Sequence, residues 1–187
     1  MRKIILYVLL LITGSEAKSQ DFVLNVMMDQ EVSCKGNNDG SIQASCVPEG
    51  EYKYIISRGT FKDSNPSGEF RNLAPGVYKV SATKDGKAFK SGKVTITEPK
   101  SLAVKFRVTK YPTKDSNGSI SLEVSGGTTD LQPYLISWTN SSGDYLNSDD
   151  NPYAPYMDNL KADTYTVKIE DDHGCFLTKS YKLPRRK

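Results

Sequence analysis

The chain has 187 residues, 37% hydrophobic and 25% charged, with 14 Gly, 9 Pro and 11 Tyr. This apolar share argues against wholesale disorder, and a formal net charge of +3 spread along the chain argues against dedicated nucleic-acid binding. A single histidine excludes His-rich metal sites and leaves few routes to general-base catalysis, so a non-enzymatic role is expected.

The first segment reads as an address. Arg2 and Lys3 precede the unbroken apolar run Ile4 to Ile12, and the small residues Thr13, Gly14, Ser15 and Ala17 follow. This is the pattern of a signal peptide over residues 1–19, with cleavage after Ala17 or Ser19 and Ser19 preferred. Nine residues of helix rise only about 14 Å, half of a hydrocarbon core of roughly 30 Å, so the run does not span a membrane. No second stretch of spanning length follows. The expected product is soluble and exported.

Beyond residue 20 the patterns are those of strands. Ile42, Ala44 and Cys46 alternate with Ser41, Gln43 and Ser45, and Tyr78, Val80 and Ala82 alternate with Lys79, Ser81 and Thr83. Ile120, Leu122 and Val124, then Tyr165, Val167 and Ile169, repeat the same period of two. Gly, Asn, Asp and Pro clusters separate the runs, and no segment keeps a helical period over three turns. The fold class is all-β.

Landmarks also recur in the same order. Asp39-Gly40-Ser41-Ile42 returns as Asn117-Gly118-Ser119-Ile120, and Tyr52–Ile56 returns loosely as Tyr134–Trp138. Leu73–Val80 returns as Leu160–Val167, and Lys84-Asp85-Gly86 as Asp172-His173-Gly174. The drift between landmarks gives the second copy about five extra residues between Trp138 and Leu160. With a boundary near Glu98-Pro99-Lys100, the expected domains are residues 20–99 and 100–187, the second ending in the basic tail Pro184-Arg185-Arg186-Lys187. Tyr78 and Tyr165 stand where the tyrosine corner of an immunoglobulin-like β-sandwich is found, with Gly76 and Asp163 expected to take the turn's less common backbone angles. Trp138, the sole tryptophan, is expected in the core of the second domain.

These residues together resemble the SprB repeat, an immunoglobulin-like module named after a giant cell-surface gliding adhesin of certain Gram-negative bacteria. The resemblance rests on Val32–Ile42 in the first copy. In the second it rests on Gly126-Gly127 before Pro133-Tyr134, on Ser137-Trp138, on Leu160–Val167 and on Asp172-His173-Gly174-Cys175. It implies two tandem immunoglobulin-like β-sandwiches serving as spacers or binding units of an exported protein. It also implies pairing of an early cysteine with the late Gly-Cys of the same module. Neither module holds both partners: the first has Gly86-Lys87 in place of the late Gly-Cys, and the second has Pro112 where Cys34 would fall.

The three mature cysteines therefore leave alternatives open. Cys46 lies on the inward face of its strand and reads as a small buried residue. A Cys34–Cys46 bond would flank one turn in poor register, whereas Cys34–Cys175 would clamp the two domains together. No Cys-x-x-Cys or His pair suggests zinc.

The most function-like stretch is Thr139–Pro155, which holds the expansion, Tyr145 and Tyr153, with Tyr156 just beyond, and acidic Asp144, Asp149 and Asp150. Exposed tyrosines on such a loop suit contact with sugars or protein surfaces; alternatively, Tyr153 and Tyr156 fold back as a lid on the core. Asn37, Asn38, Asp39, Asp115, Asn117, Asp149, Asp150, Asp171 and Asp172 are loop oxygen donors that match no EF-hand. Turn formation is their expected role, with structural calcium the alternative, and no other cofactor is expected. His173 reads as part of a tight turn. The expected function is non-enzymatic: an accessory subunit of a larger envelope complex acting through protein–protein contacts, or an adhesin-like module binding surface glycans through the Thr139–Pro155 loop.

Overall fold

A computed structural model describes residues 22–89, 92–113, 117–129, 133–147 and 151–186. The signal segment 1–19, Asp115, Asp149, Asp150 and Lys187 lie outside the described residues. In chain order the first half forms β1 (Val23–Gln30), β2 (Gly40–Val47), β3 (Lys53–Arg58), β4 (Phe61–Asn65), β5 (Glu69–Leu73), β6 (Gly76–Lys84), β7 (Lys87–Ala88) and β8 (Gly92–Ile96). The second half forms β9 (Ala103–Lys110), β10 (Gly118–Ser125), β11 (Leu135–Thr139), β12 (Tyr156–Leu160), β13 (Asp163–Glu170) and β14 (Phe176–Leu183). The described chain is all-β.

Each half is an immunoglobulin-like sandwich of two antiparallel sheets. Sheet β1-β2-β5 faces sheet β4-β3-β6, whose β6 also pairs with β7 and β8; in the second half, β12-β10-β9 faces β11-β13-β14. The period-two alternation turns one set of side chains inward. Ile42, Ile56, Phe70, Tyr78, Val80 and Ile96 fill the first core, and Ile120, Trp138, Val167, Ile169 and Leu183 fill the second. Each fully buried aliphatic side chain contributes about 1.5–3 kcal/mol of transfer free energy.

The duplicated landmarks perform the same local tasks in both halves. Gly40 pairs with Leu73 and Gly118 with Leu160, and the strand register shifts just after each glycine. A Cβ on Gly40 would fall 2.8 Å from Ile96 Cγ2, and one on Gly118 would fall 2.9 Å from Pro112 Cδ and 3.0 Å from the Leu160 carbonyl oxygen. Only glycine lets the two backbones meet there. The residue before each glycine closes the preceding loop: Asp39 accepts a hydrogen bond from the Ser33 amide at 3.0 Å, and Asn117 accepts one from the Thr113 amide at 3.1 Å.

Both tyrosine corners are formed. Tyr78 donates its hydroxyl to the Ala74 carbonyl at 2.7 Å, and Tyr165 donates to the Lys161 carbonyl at 2.9 Å. A second duplicated pair does similar work, with Tyr52 donating to Pro48 O at 2.9 Å and Tyr134 to Gly126 O at 2.7 Å. The backbone expectation at the corners needs correction on one side. Gly76 has a positive φ of 145°, but Asp163 does not share that role. The left-handed positions common to both halves are Asn72 and Asn159, each with φ 55°. Each sits immediately before the leucine that faces the bulge, and asparagine tolerates that region better than other side chains. Asp163 instead uses its carboxylate, accepting from the Thr164 amide at 2.7 Å.

The halves differ where the second copy is longer. In the first, β4 pairs along β3 from Tyr54↔Asn65 to Arg58↔Phe61. In the second, an irregular loop occupies the same edge of β11, with a single Thr139↔Tyr145 bridge among its described residues.

Candidate functional site

The described residues of the Thr139–Pro155 stretch, 139–147 and 151–155, are irregular but tightly held. Ile136 donates its backbone amide to the Pro152 carbonyl at 2.8 Å, and Leu146 donates to the Trp138 carbonyl at 2.9 Å. The side chain of Asn147 spans the remaining gap: its Oδ1 accepts from the Trp138 amide at 2.6 Å, and its Nδ2 donates to the Ile136 carbonyl at 2.7 Å. Across the sandwich, Leu122 of β10 donates to the Pro155 carbonyl at 2.7 Å. Trp138, fully buried, sends its indole N–H to the Ala154 carbonyl at 3.2 Å. The loop thus satisfies the open edge of β11 and bridges to the opposite sheet, which removes a template for strand addition.

Its tip is a turn organised by Asn140. Asn140 Oδ1 accepts from the amides of Ser142 and Asp144 at 3.0 and 2.8 Å, while its Nδ2 donates to Asp144 Oδ2 at 2.7 Å. Asp163 reaches back to this tip, and hydrogen bonding from Ser141 holds its carboxyl below the usual carboxylate range. On this frame Tyr145, Tyr153 and Tyr156 are 57%, 36% and 54% exposed. Two adjoining clefts of about 290 and 270 Å³ run between the loop and β12, both lined by Leu146, Met157 and Asp158, with Tyr156 on the wall of the second. Their volumes suit a side chain or one sugar ring of a larger partner rather than a whole cofactor. On the outer sheet face Tyr156 stands opposite Ser121, which in turn stands opposite Arg107, and Arg107 pairs with Glu123.

Sequence reasoning singled out the tyrosines but missed Asn147, Asn140 and Met157. Their only signal was position within the expansion, because asparagine in a loop is ordinary and Met157 follows no clear alternation.

Cys34, Cys175, Asp171 and His173 meet at the junction of the sandwiches, whereas Cys46 lies in the first core. Cys34 and Cys175 form a disulfide with Cα atoms 5.6 Å apart, and Cys46 is a free, buried thiol, so the Cys34–Cys46 alternative is not realised. Burial pushes the Cys46 thiol pKa up. Asp171 is buried and fully engaged, accepting from the amides of Thr128, His173 and Cys175 at 2.9, 3.0 and 2.9 Å. His173 lies in the turn between β13 and β14, with Nδ1 at 3.4 Å from the Ser33 carbonyl oxygen. Among the described residues no group of three or more His, Cys, Asp or Glu side chains could hold a metal ion. The oxygen donors Asp39, Asn117 and Asp171 are instead bonded to their own loops. In the basic tail, Arg186 donates its amide to the Pro112 carbonyl at 3.0 Å and sets its guanidinium over the Tyr111 ring.

Residues 113–143, from the end of β9's loop through β11 to the loop tip, match the SprB repeat family. The chain is similar in structure to the three N-terminal domains of the Highly Immunogenic Outer Capsid protein (Hoc) of bacteriophage RB49. That similarity has a TM-score of 0.52 at 14% identity, covering 88% of this chain and 58% of that one. A weaker similarity joins it to a 282-residue C-terminal fragment of intimin in complex with the intimin-binding domain of the translocated intimin receptor. There the TM-score is 0.46 at 15% identity, over 88% of this chain and 64% of that one. A two-domain fibronectin type III segment of chicken tenascin is similar with a TM-score of 0.35 at 14% identity, over 84% of this chain and 97% of that one. The chain thus spans less than two thirds of the Hoc and intimin fragments. No curated protein matches in sequence. This is an all-β chain that carries an SprB-repeat-like, immunoglobulin-like module.

Proposed function

We propose that the chain is an exported, non-enzymatic binding protein. In this reading it serves as an accessory subunit of a larger cell-envelope assembly and docks through the loop side of its second sandwich. One observation carries the reading: Tyr145 and Tyr153, on a loop that backbone and asparagine hydrogen bonds hold in place, and Tyr156, at the start of β12 beside it, are presented to solvent. Tyrosine offers a large contact area with only two side-chain torsions to freeze, and a pinned loop loses little further entropy on binding. The SprB repeat, as a module of surface proteins, supports an exported surface or envelope setting. Against an enzyme stands the use of the lone histidine, which faces a backbone carbonyl rather than a nucleophile.

The row Tyr156, Ser121, Arg107 with Glu123 favours a second reading, in which the same face binds a glycan by ring stacking and hydroxyl hydrogen bonds. Tyr145→Ala combined with Tyr156→Ala separates both readings from a structural role. Lost binding to envelope protein, or to an arrayed glycan, with an unchanged melting temperature supports docking. A melting temperature lowered by many degrees overturns it, because the rings would then belong to the core.

A further inference from the structure

Two straps join the sandwiches. One is the chain itself, residues 97–102 between β8 and β9. Its first part is tied to the first sandwich: the Thr97 carbonyl accepts from the Val32 amide at 3.1 Å, Glu98 accepts from the Gly36 amide at 3.1 Å, and Glu98 pairs with Lys35. Its last part is tied to the second sandwich. There the Lys100 carbonyl accepts from the Gly127 amide at 2.8 Å, and Gly126 lies so close that a Cβ would fall 2.0 Å from the Ser101 carbonyl oxygen. Pro99 is the one residue between the two sets of ties.

The other strap is the Cys34–Cys175 disulfide, running from the loop before β2 to the turn between β13 and β14. Beside it, His173 Nδ1 adds a long polar contact to the Ser33 carbonyl. Two bodies joined at one point can swivel, and a second covalent link away from that point removes the swivel. We infer that the Cys34–Cys175 disulfide is a redox-sensitive latch that fixes the mutual orientation of the two sandwiches, with Pro99 as the pivot released when it opens. The ring of Pro99 locks its own φ, and a residue before proline is confined to extended angles, so the released motion is a swivel about few bonds rather than free tumbling.

The chemistry is thiol–disulfide exchange. A thiolate of a dithiol reductant attacks one sulfur, giving a mixed disulfide, and its second thiol resolves it. Two electrons and two protons pass to the protein, leaving Cys34 and Cys175 as thiols and the reductant as its disulfide. Access exists, because both cysteines line an open cleft of about 340 Å³ together with Lys35, Pro99, Lys100 and Phe176. Each sandwich has its own core, so opening the latch leaves both folded.

The test is residual dipolar couplings measured on the isotope-labelled full mature chain, oxidised, reduced with dithiothreitol, and as the Cys34→Ser/Cys175→Ser variant. One alignment tensor is expected for both sandwiches when oxidised, and two distinct tensors in the reduced chain and the variant, with amide dispersion retained. A single shared tensor in all three states overturns the inference, since noncovalent contacts would then set the orientation. Two tensors in the oxidised chain overturn it as well. Should the variant lose its dispersion, the reduced wild-type chain decides. Loss of dispersion there too contradicts the inference, because the bond would then hold up the fold rather than the orientation.

Discussion

The side chain of Asn147 stands in for a β-strand beside Trp138. Its amide oxygen accepts from the Trp138 backbone N–H at 2.6 Å while its amide nitrogen donates to the carbonyl two residues earlier. In the first sandwich the same edge is met by a true strand, β4. The second sandwich therefore gives up a regular edge strand and gains a longer loop that carries Tyr145 and Tyr153, tied to the edge through Asn147.

Asn147→Ala tests this directly. It leaves a half-buried N–H and a carbonyl without their partner, a loss of about 1–3 kcal/mol. For a domain of this size, each kcal/mol lowers the melting temperature by roughly 4–8 °C. Calorimetry should show the second sandwich destabilised by that amount and the first unchanged. An unaltered thermogram would mean that the loop caps the edge without Asn147.

Tyr78→Phe and Tyr165→Phe each remove one corner hydrogen bond while keeping the buried ring. Each should cost about 1 kcal/mol, and because the residues lie in separate cores the double variant should show the sum. Urea denaturation of the three variants measures this. A strongly non-additive result would show that the two corners are energetically coupled rather than independent.

Asp39 provides a pH handle. Hydrogen bonding from the Ser33 side chain, opposed by modest burial, holds its carboxyl below the usual value. A depressed folded pKa contributes stability that is present above the unfolded pKa, near 4, and is lost as pH falls through the folded value. Asp39→Asn converts the site to the chemistry that Asn117 already uses. The variant should be less stable than wild type at pH 7, and the difference should shrink as pH is lowered below about 4. A difference independent of pH would assign Asp39 a packing role instead.

Thiol counting checks the cysteine arrangement. Cys46 is 5% exposed, burial raises its thiol pKa, and the other two cysteines are joined. Iodoacetamide should add nothing to the native, unreduced protein and one adduct per chain after denaturation without reductant. Three adducts under those conditions would contradict the disulfide.

Much of the fold was legible because its signals are local. Alternation marked β2, β6, β10 and β13, and the duplicated Asp39-Gly40 and Asn117-Gly118 pairs marked the bulge that each half builds. Strands β4, β5 and β12 were not legible. Phe61–Asn65 has the composition of a turn, and Glu69–Leu73 and Tyr156–Leu160 each break their alternation at an asparagine of positive φ. The tyrosines could be picked out by type and by the length of their loop. What pins that loop could not, because the bonds of Asn147 and the carbonyls of Pro152 and Pro155 depend on which edge the chain returns to.

Docking of the second sandwich through its exposed tyrosines, as proposed, is tested most directly by recovery from native envelopes. A C-terminally tagged chain should be recovered from native envelopes, extracted in mild detergent, beside the Tyr145→Ala/Tyr156→Ala variant. One envelope protein in stoichiometric amount is expected with the wild type, and its loss with the equally stable variant. Equal recovery of that partner with both chains would contradict it.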